Sequence, residues 1–311
     1  MWADRQFGLN PRAVQQRRES NSVDPVIIIG APRSGTNMLR DVLAKLPDAT
    51  TWPCDEINPV WRHGNRDFPS DELDPELATA GVKSYLRAQF DKMGKRYGAH
   101  TVVEKTCANS LRVPFVARVF PEARYIFIHR DGVDAASSAM NRWNAAFNLQ
   151  YTVKKARFIP PADLIYYANR FIAAGVQARF DRPVLASAPV PNVGTWWGPK
   201  PWDYEALRAH HPLDEVCVLQ WQRCVEASLM DLSRLGRGQV LDVAYEQFVK
   251  APAVQMRRIL TFLGRSDVLA DAFVRDISQA SIGKGKVMLG AESTARLRGL
   301  ANGTLAKLGY A

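Results

Sequence analysis

The sequence predicts an α/β fold: a P-loop-like central parallel β-sheet flanked by helices, with an irregular, aromatic-rich insertion. Three observations carry this. Residues 26–46, VIIIGAPRSGTNMLRDVLAKL, read as a strand, a glycine turn and an amphipathic helix. Short β-branched or aromatic runs at 26–29, 101–104, 125–129 and 240–243 alternate with helical patterns, as right-handed βαβ units require. The alternation breaks at about 147–213, where Pro, Gly and Trp accumulate.

Residues 1–23 are polar and predict a tail carrying a peripheral helix over 11–19. This opening lacks the apolar core of a signal peptide. No window approaches the roughly 18 apolar residues of a membrane span, so a cytoplasmic protein is expected. Residues 24–311 are expected to form a single domain, with 147–213 inserted over the site. A hydrophobic fraction of 47% and 23% charge suit a globular chain. The net charge of +10 comes without a dense Lys/Arg run interleaved with aromatics, so nucleic acid is not the expected partner. An anionic small molecule fits the balance. Cys54, Cys107, Cys217 and Cys224 form no metal-ligand spacing, so reduced structural thiols and no metal site are expected.

The run 26–29 suits a central strand covered on both faces. Gly30 and Gly35 bracket the turn, Thr36 or Asn37 offers a helix cap, and Met38, Leu39, Val42, Leu43 and Leu46 recur at helical spacing. Such a turn aims backbone N–H groups at an anion. Gly30 and Gly35 have Walker A spacing, but Thr36 stands where the lysine belongs and the cation is Arg33, inside the loop. An arginine there suits a 5′-phosphate or sulfate, since its planar fork binds two oxygens. A plain βα turn without a ligand is the other reading.

The Pro- and Asp-rich stretch 47–77 predicts a loop at the C-terminal side of the sheet, where ligands gather. It holds Asp55 and Glu56, with Arg62 and His63 behind them. They read as an acid–base pair or as a solvated turn. A helix over 82–97 follows, then the second strand with Lys105 at its end, a crossover helix over 111–120 and the third strand over 125–129. Arg130 follows that strand, and Ser138 lies eight residues on, two turns into a helix over 133–143. Arg130 and Ser138 could grip one phosphate, or Arg130 could pair with Asp131 or Asp134.

Within the insertion, 163–180 predicts a helix, and Trp196, Trp197, Trp202 and Tyr204 form either an aromatic wall or packing for a lid. A helix over 214–235, the strand 240–243, and helices over 253–263 and 268–276 follow. Residues 281–286 predict a basic glycine loop, either closing over an anion or linking elements. Gly299 and Gly303 interrupt a weakly helical tail.

Taken together, these motifs resemble the sulfotransferase superfamily, which transfers sulfuryl groups from 3′-phosphoadenosine 5′-phosphosulfate (PAPS). The resemblance spans about 26–140 and 240–286. Residues 31–37, APRSGTN, resemble the 5′-phosphosulfate loop, with arginine where cytosolic members have lysine. Phe120-Pro121, the strand 125–129 and Arg130-Asp131-Gly132 through Ser138 resemble the 3′-phosphate motif. The pattern resembles tyrosylprotein and bacterial sulfotransferases more than the cytosolic steroid and phenol enzymes. The resemblance implies a base at Glu56, the second member of an acidic pair. It implies a lysine on the transferred group at Lys105, and Tyr245 near adenine through Tyr245-Glu246-Gln247. Arg33, Ser34, Gly35, Thr36 and Asn37 would hold the 5′-phosphate; Arg130, Ser138 and Lys286 would hold the 3′-phosphate; no metal is needed. Cys107 departs from the histidine of cytosolic enzymes, and Asn58 from the arginine of tyrosylprotein enzymes. The expected acceptor is a hydroxyl of a carbohydrate or glycolipid, and the expected product is adenosine 3′,5′-bisphosphate. A P-loop kinase or NTPase, and a non-catalytic nucleotide-binding protein, are the rival readings.

Overall fold

The computed structural model describes residues 22–143, 163, 196–267 and 270–310. The predicted helix over 11–19, most of the insertion, and the predicted helix over 163–180 apart from its first residue lie outside the described residues. Five strands are described, β1 Asp24–Ile29, β2 Ala49–Thr51, β3 Thr101–Lys105, β4 Arg124–His129 and β5 Val240–Ala244. They form one sheet in the order β2-β3-β1-β4-β5, with every pairing parallel.

Strand β1 lies at the centre because its side chains are apolar on both faces. Ile27 and Ile29 join a core with Phe90, Phe115, Val133 and Trp221. Val26 and Ile28 join a second core with Leu39, Leu43, Phe248 and Ile259. Alternation at period two sends successive residues to opposite layers, so a β-branched run is what a strand between two helical layers requires.

The helices are α1 Thr36–Leu43, α2 Asn58–Trp61, α3 Ala80–Tyr97, α4 Val113–Val119, α5 Gly132–Trp143, α6 Tyr204–His210, α7 Leu213–Leu232, α8 Tyr245–Lys250, α9 Pro252–Phe262, α10 Ala270–Phe273 and α11 Lys284–Lys307. Helices α1, α8 and α9 supply the second core. Helices α3, α4, α5, α7 and α11 supply the first.

Several elements differ from expectation. Strand β2 is a three-residue edge strand in a stretch that reads as loop. Residues 281–286 are not a plain loop: a turn ends at Gly283 and α11 begins at Lys284. Helix α11 runs through Gly299 and Gly303, and its non-helical residue is Gly290. Leu297, Ala301 and Leu305 are buried one turn apart, and α11 packs on α5 and α7. That burial outweighs the helix penalty of two glycines, about 1 kcal/mol each. Thr36 and Asn37 do not cap α1; Gly35 is the N-cap, and no side chain closes it.

Candidate functional site

The sheet register determines which residues meet. His129 pairs with Ala244, so the residues that follow, Arg130 and Tyr245, emerge side by side. The Arg130 guanidinium lies over the Tyr245 ring, 4.7 Å from its centroid. The same ring fills the space beside Gly35, where a Cβ would come within 2.4 Å of it. Gly30 has a different reason: a Cβ there would meet the Ile128 carbonyl at 2.5 Å. Gly35 has φ +88°, and Arg33 has φ +66°. Left-handed backbone costs a residue with a Cβ roughly 1–3 kcal/mol, and such strain clusters at ligand sites.

That conformation turns Arg33 toward α5. Its Nε donates to Ser138 Oγ at 2.9 Å. Arg130 Nη1 donates to the Arg33 carbonyl at 3.2 Å. The guanidinium of Arg33 is held below its ordinary pKa by burial, then by the positive charges of Arg142 and Arg130. Arg142 was not anticipated, although it stands one helical turn beyond Ser138 on α5. Of the two readings of Arg130, the ion pair with Asp134 is present. Arg130 lies 3.5 Å from the Asp134 carboxylate, but that pair is buried, not on the surface.

An anion fits this cluster. Ser34 Oγ, Asn37 Oδ1 and Arg130 Nε are buried without a hydrogen-bond partner among the described residues. Buried polar atoms are normally satisfied; Ser34 Oγ and Arg130 Nε are donors that an anion would satisfy, whereas Asn37 Oδ1 is an acceptor. The first-turn amides of α1 have no intrahelical acceptors, and Gly35 adds no side-chain cap.

A second group of residues lies at the ends of β2 and β3. Lys105 Nζ donates to Glu56 Oε1 at 2.9 Å, and the Cys107 amide donates to the same oxygen at 3.3 Å. Burial pulls the Lys105 ammonium down, but the facing groups outweigh it and its pKa rises. Burial, then Glu56, push the Cys107 thiol up to about 12. Cys107 is therefore neutral at neutral pH. Thr36 Oγ1 lies 3.7 Å from Cys107 Sγ, which joins this group to the turn after β1.

The polypeptide around Glu56 is pinned residue by residue. Arg40 Nη1 donates to the carbonyls of Cys54 and Asp55, both at 3.1 Å. The Ile57 amide donates to Thr106 Oγ1 at 3.2 Å, and Thr106 Oγ1 donates to Glu104 Oε1 at 2.6 Å. Asn58 Oδ1 accepts from Arg112 Nη2 at 2.6 Å. Glu104 is 1% exposed, and burial raises its pKa to about 7. Arg40, Thr106 and Arg112 were not singled out, because their contacts with Asp55, Ile57 and Asn58 join segments 15 or more residues apart.

The remaining candidates are placed elsewhere. His63 Nδ1 is 2.8 Å from Asp163 Oδ2, and its ring stacks on Tyr85 at 3.8 Å. Lys286 is exposed on the first turn of α11, and no hydrogen bond or ion pair ties it to the other candidates among the described residues. Trp196 packs edge-on against Trp143 at 5.2 Å, and Trp202 is 62% exposed, 5.8 Å from Phe68. Among the described residues no group of His, Cys, Asp and Glu could hold a metal. No described helix is long and apolar enough to cross a membrane.

Comparison with known proteins adds a family to this geometry. The family model described as "Sulfotransferase family" matches residues 25–180 and 194–268. The fold is similar to a sulfotransferase domain from the curacin biosynthetic pathway, with TM-score 0.52 and 13% identity over 94% of this chain and 99% of that one. Sulfotransferase STF9 from Mycobacterium avium matches at TM-score 0.47 and 12% identity, over 95% of this chain and 79% of that one. A sulfotransferase from Alicyclobacillus acidocaldarius matches at TM-score 0.42 and 20% identity, over 89% and 96%. The matched segments carry the first strand and turn, the Glu56–Lys105 pair, the Arg130–Ser138 helix and Tyr245, more than half of the sequence, and the chain belongs to the sulfotransferase family.

Proposed function

We propose that this sulfotransferase draws its sulfuryl group from PAPS and delivers it to a hydroxyl of a carbohydrate or glycolipid. Residues 24–311 would act as one domain, with 147–213 as the lid of the acceptor site. The observation that supports the donor is the partly buried cluster of Arg33, Arg130 and Ser138, with the unpartnered donors Ser34 Oγ and Arg130 Nε beside it.

When bound, the donor supplies a sulfuryl group on a phosphate leaving oxygen, displaced in line by the acceptor. Arg33 and the amides at Ser34–Asn37 would hold the 5′-phosphate and offset the charge that gathers there. Arg130 and Ser138 would hold the 3′-phosphate, and Tyr245 would lie against the nucleotide. Lys105 would stabilise charge on the transferred group. Glu56 would take the proton of the acceptor hydroxyl at Oε1 or Oε2. Geometry and electrostatics do this work, as in phosphoryl transfer. The exposed Trp202 beside Phe68 offers an aromatic face of the kind that stacks on a sugar ring.

Titration calorimetry with adenosine 3′,5′-bisphosphate, 5′-AMP and ATP tests the donor. Tight binding that depends on the 3′-phosphate is expected, followed by transfer of label from PAPS to saccharide hydroxyls. Equal affinity for 5′-AMP would overturn the donor assignment, and preference for ATP with magnesium would return a kinase to consideration.

A further inference from the structure

Asp134 is used by nothing in the scheme above, yet it is 4% exposed and carries contacts on both oxygens. Oδ1 accepts from the Gly285 amide at 2.7 Å, and Oδ2 accepts from the Gly283 amide at 2.7 Å. Arg130 Nη2 lies 3.5 Å from Oδ2. The same Nη2 donates to the Ser281 carbonyl at 2.5 Å. One carboxylate on α5 therefore ties down the arginine after β4 and the start of α11, roughly 150 residues away in sequence. The approach is close. A Cβ on Gly285 would come within 2.7 Å of the Asp134 Cα and 2.8 Å of the Val133 carbonyl.

The consequence falls on the guanidinium. Asp134 and the Ser281 carbonyl occupy Nη2, the Arg33 carbonyl takes Nη1, and the Tyr245 ring lies against the face. Arg130 Nε is left buried and unpartnered. A side chain fixed on its other sides presents that one donor without further loss of rotamer freedom.

We infer that Asp134 is a positioning residue for nucleotide selection: it clamps the 281–285 segment onto α5 and so fixes Arg130 for a 3′-phosphate. This rests on the PAPS reading above. Without the clamp, Arg130 keeps its charge but loses its fixed direction, and the protein loses discrimination rather than general affinity.

The test compares affinities of the full chain for adenosine 3′,5′-bisphosphate and 5′-AMP by calorimetry, with melting curves as a check of folding. Two variants break the clamp from opposite sides. D134N keeps the shape but places an amide donor against a donor N–H. G285A leaves both charged groups intact and forces the strap off α5. In each folded variant the ratio of the two affinities should fall about tenfold or more, with 5′-AMP affinity within about twofold of the parent. A ratio unchanged in a folded variant overturns the inference while leaving the donor reading in place. A parent protein with no preference for the 3′-phosphate overturns the donor reading itself. If D134N fails to fold, G285A decides.

Discussion

The Lys105 ammonium lies 2.9 Å from the Glu56 carboxylate, and Cys107, whose amide donates to the same carboxylate, touches Thr36 in the turn after β1. The ion pair holds a carboxylate oxygen beside the buried ammonium. Replacing the carboxylate removes the proton acceptor while preserving shape. Glu56→Gln should lower turnover roughly 10²–10⁴-fold, with affinity for adenosine 3′,5′-bisphosphate within about twofold of the parent. Transfer of label from PAPS measures the first, calorimetry the second. Near-normal turnover would move the base to Asp55 or His63.

Arg33 combines a strained backbone with a hydrogen bond to Ser138. Lysine at this position keeps the charge but lacks both the Nε donor and the planar fork. Arg33→Lys should weaken binding of the bisphosphate by about ten- to hundredfold, the worth of a charge-assisted hydrogen bond. Unchanged affinity would mean that the guanidinium does not face the ligand.

Glu104 makes stability depend on pH. Its carboxyl titrates at about 7 in the fold against an ordinary 4.5, because burial favours the neutral form. Below pH 4.5 both states hold the proton. Between 4.5 and about 7 the folded state binds more protons than the unfolded one, so stability falls as pH rises, by roughly 3 kcal/mol at most. Above 7 the loss is constant. Glu104→Gln cannot titrate, so its melting temperature relative to the parent should rise from pH 5 to pH 8. A difference that is flat across that range would contradict the assignment.

Two glycines should respond to the same substitution with opposite signs. Gly30→Ala places a Cβ 2.5 Å from the Ile128 carbonyl and should destabilise by about 1–3 kcal/mol. Gly299→Ala meets nothing within 4 Å inside α11 and should stabilise by about 0.5–1 kcal/mol. Urea unfolding of both variants measures the signs.

What the sequence revealed was local. The apolar run of β1, the turn containing Arg33 and the helix behind it were legible because their signals lie within a few residues of one another. The spacing of Arg130 and Ser138 reads as a grip on one phosphate; that each of them touches Arg33, Ser138 at its Nε and Arg130 at its carbonyl, joins two motifs that lie about a hundred residues apart. Strand β2 was missed because three edge residues among Pro and Asp leave no pattern. Helix α11 was misread because its stability comes from packing on α5 and α7, which its own composition does not encode. Asp134 was read only as a possible partner of Arg130. Its hold on the Gly283 and Gly285 amides joins segments that no local pattern connects.

Strand order also sets how freely different parts of the protein can change. Arg33, Arg130, Ser138 and Tyr245 stand at or beyond β1, on the side of β4 and β5, whereas Glu56 and Lys105 stand on the side of β3 and β2. The contact between Thr36 and Cys107 bridges the two halves. Segments on the β2 and β3 side can therefore vary between relatives while the contacts of Arg33 with Ser138 and Arg130 on the other side are inherited intact.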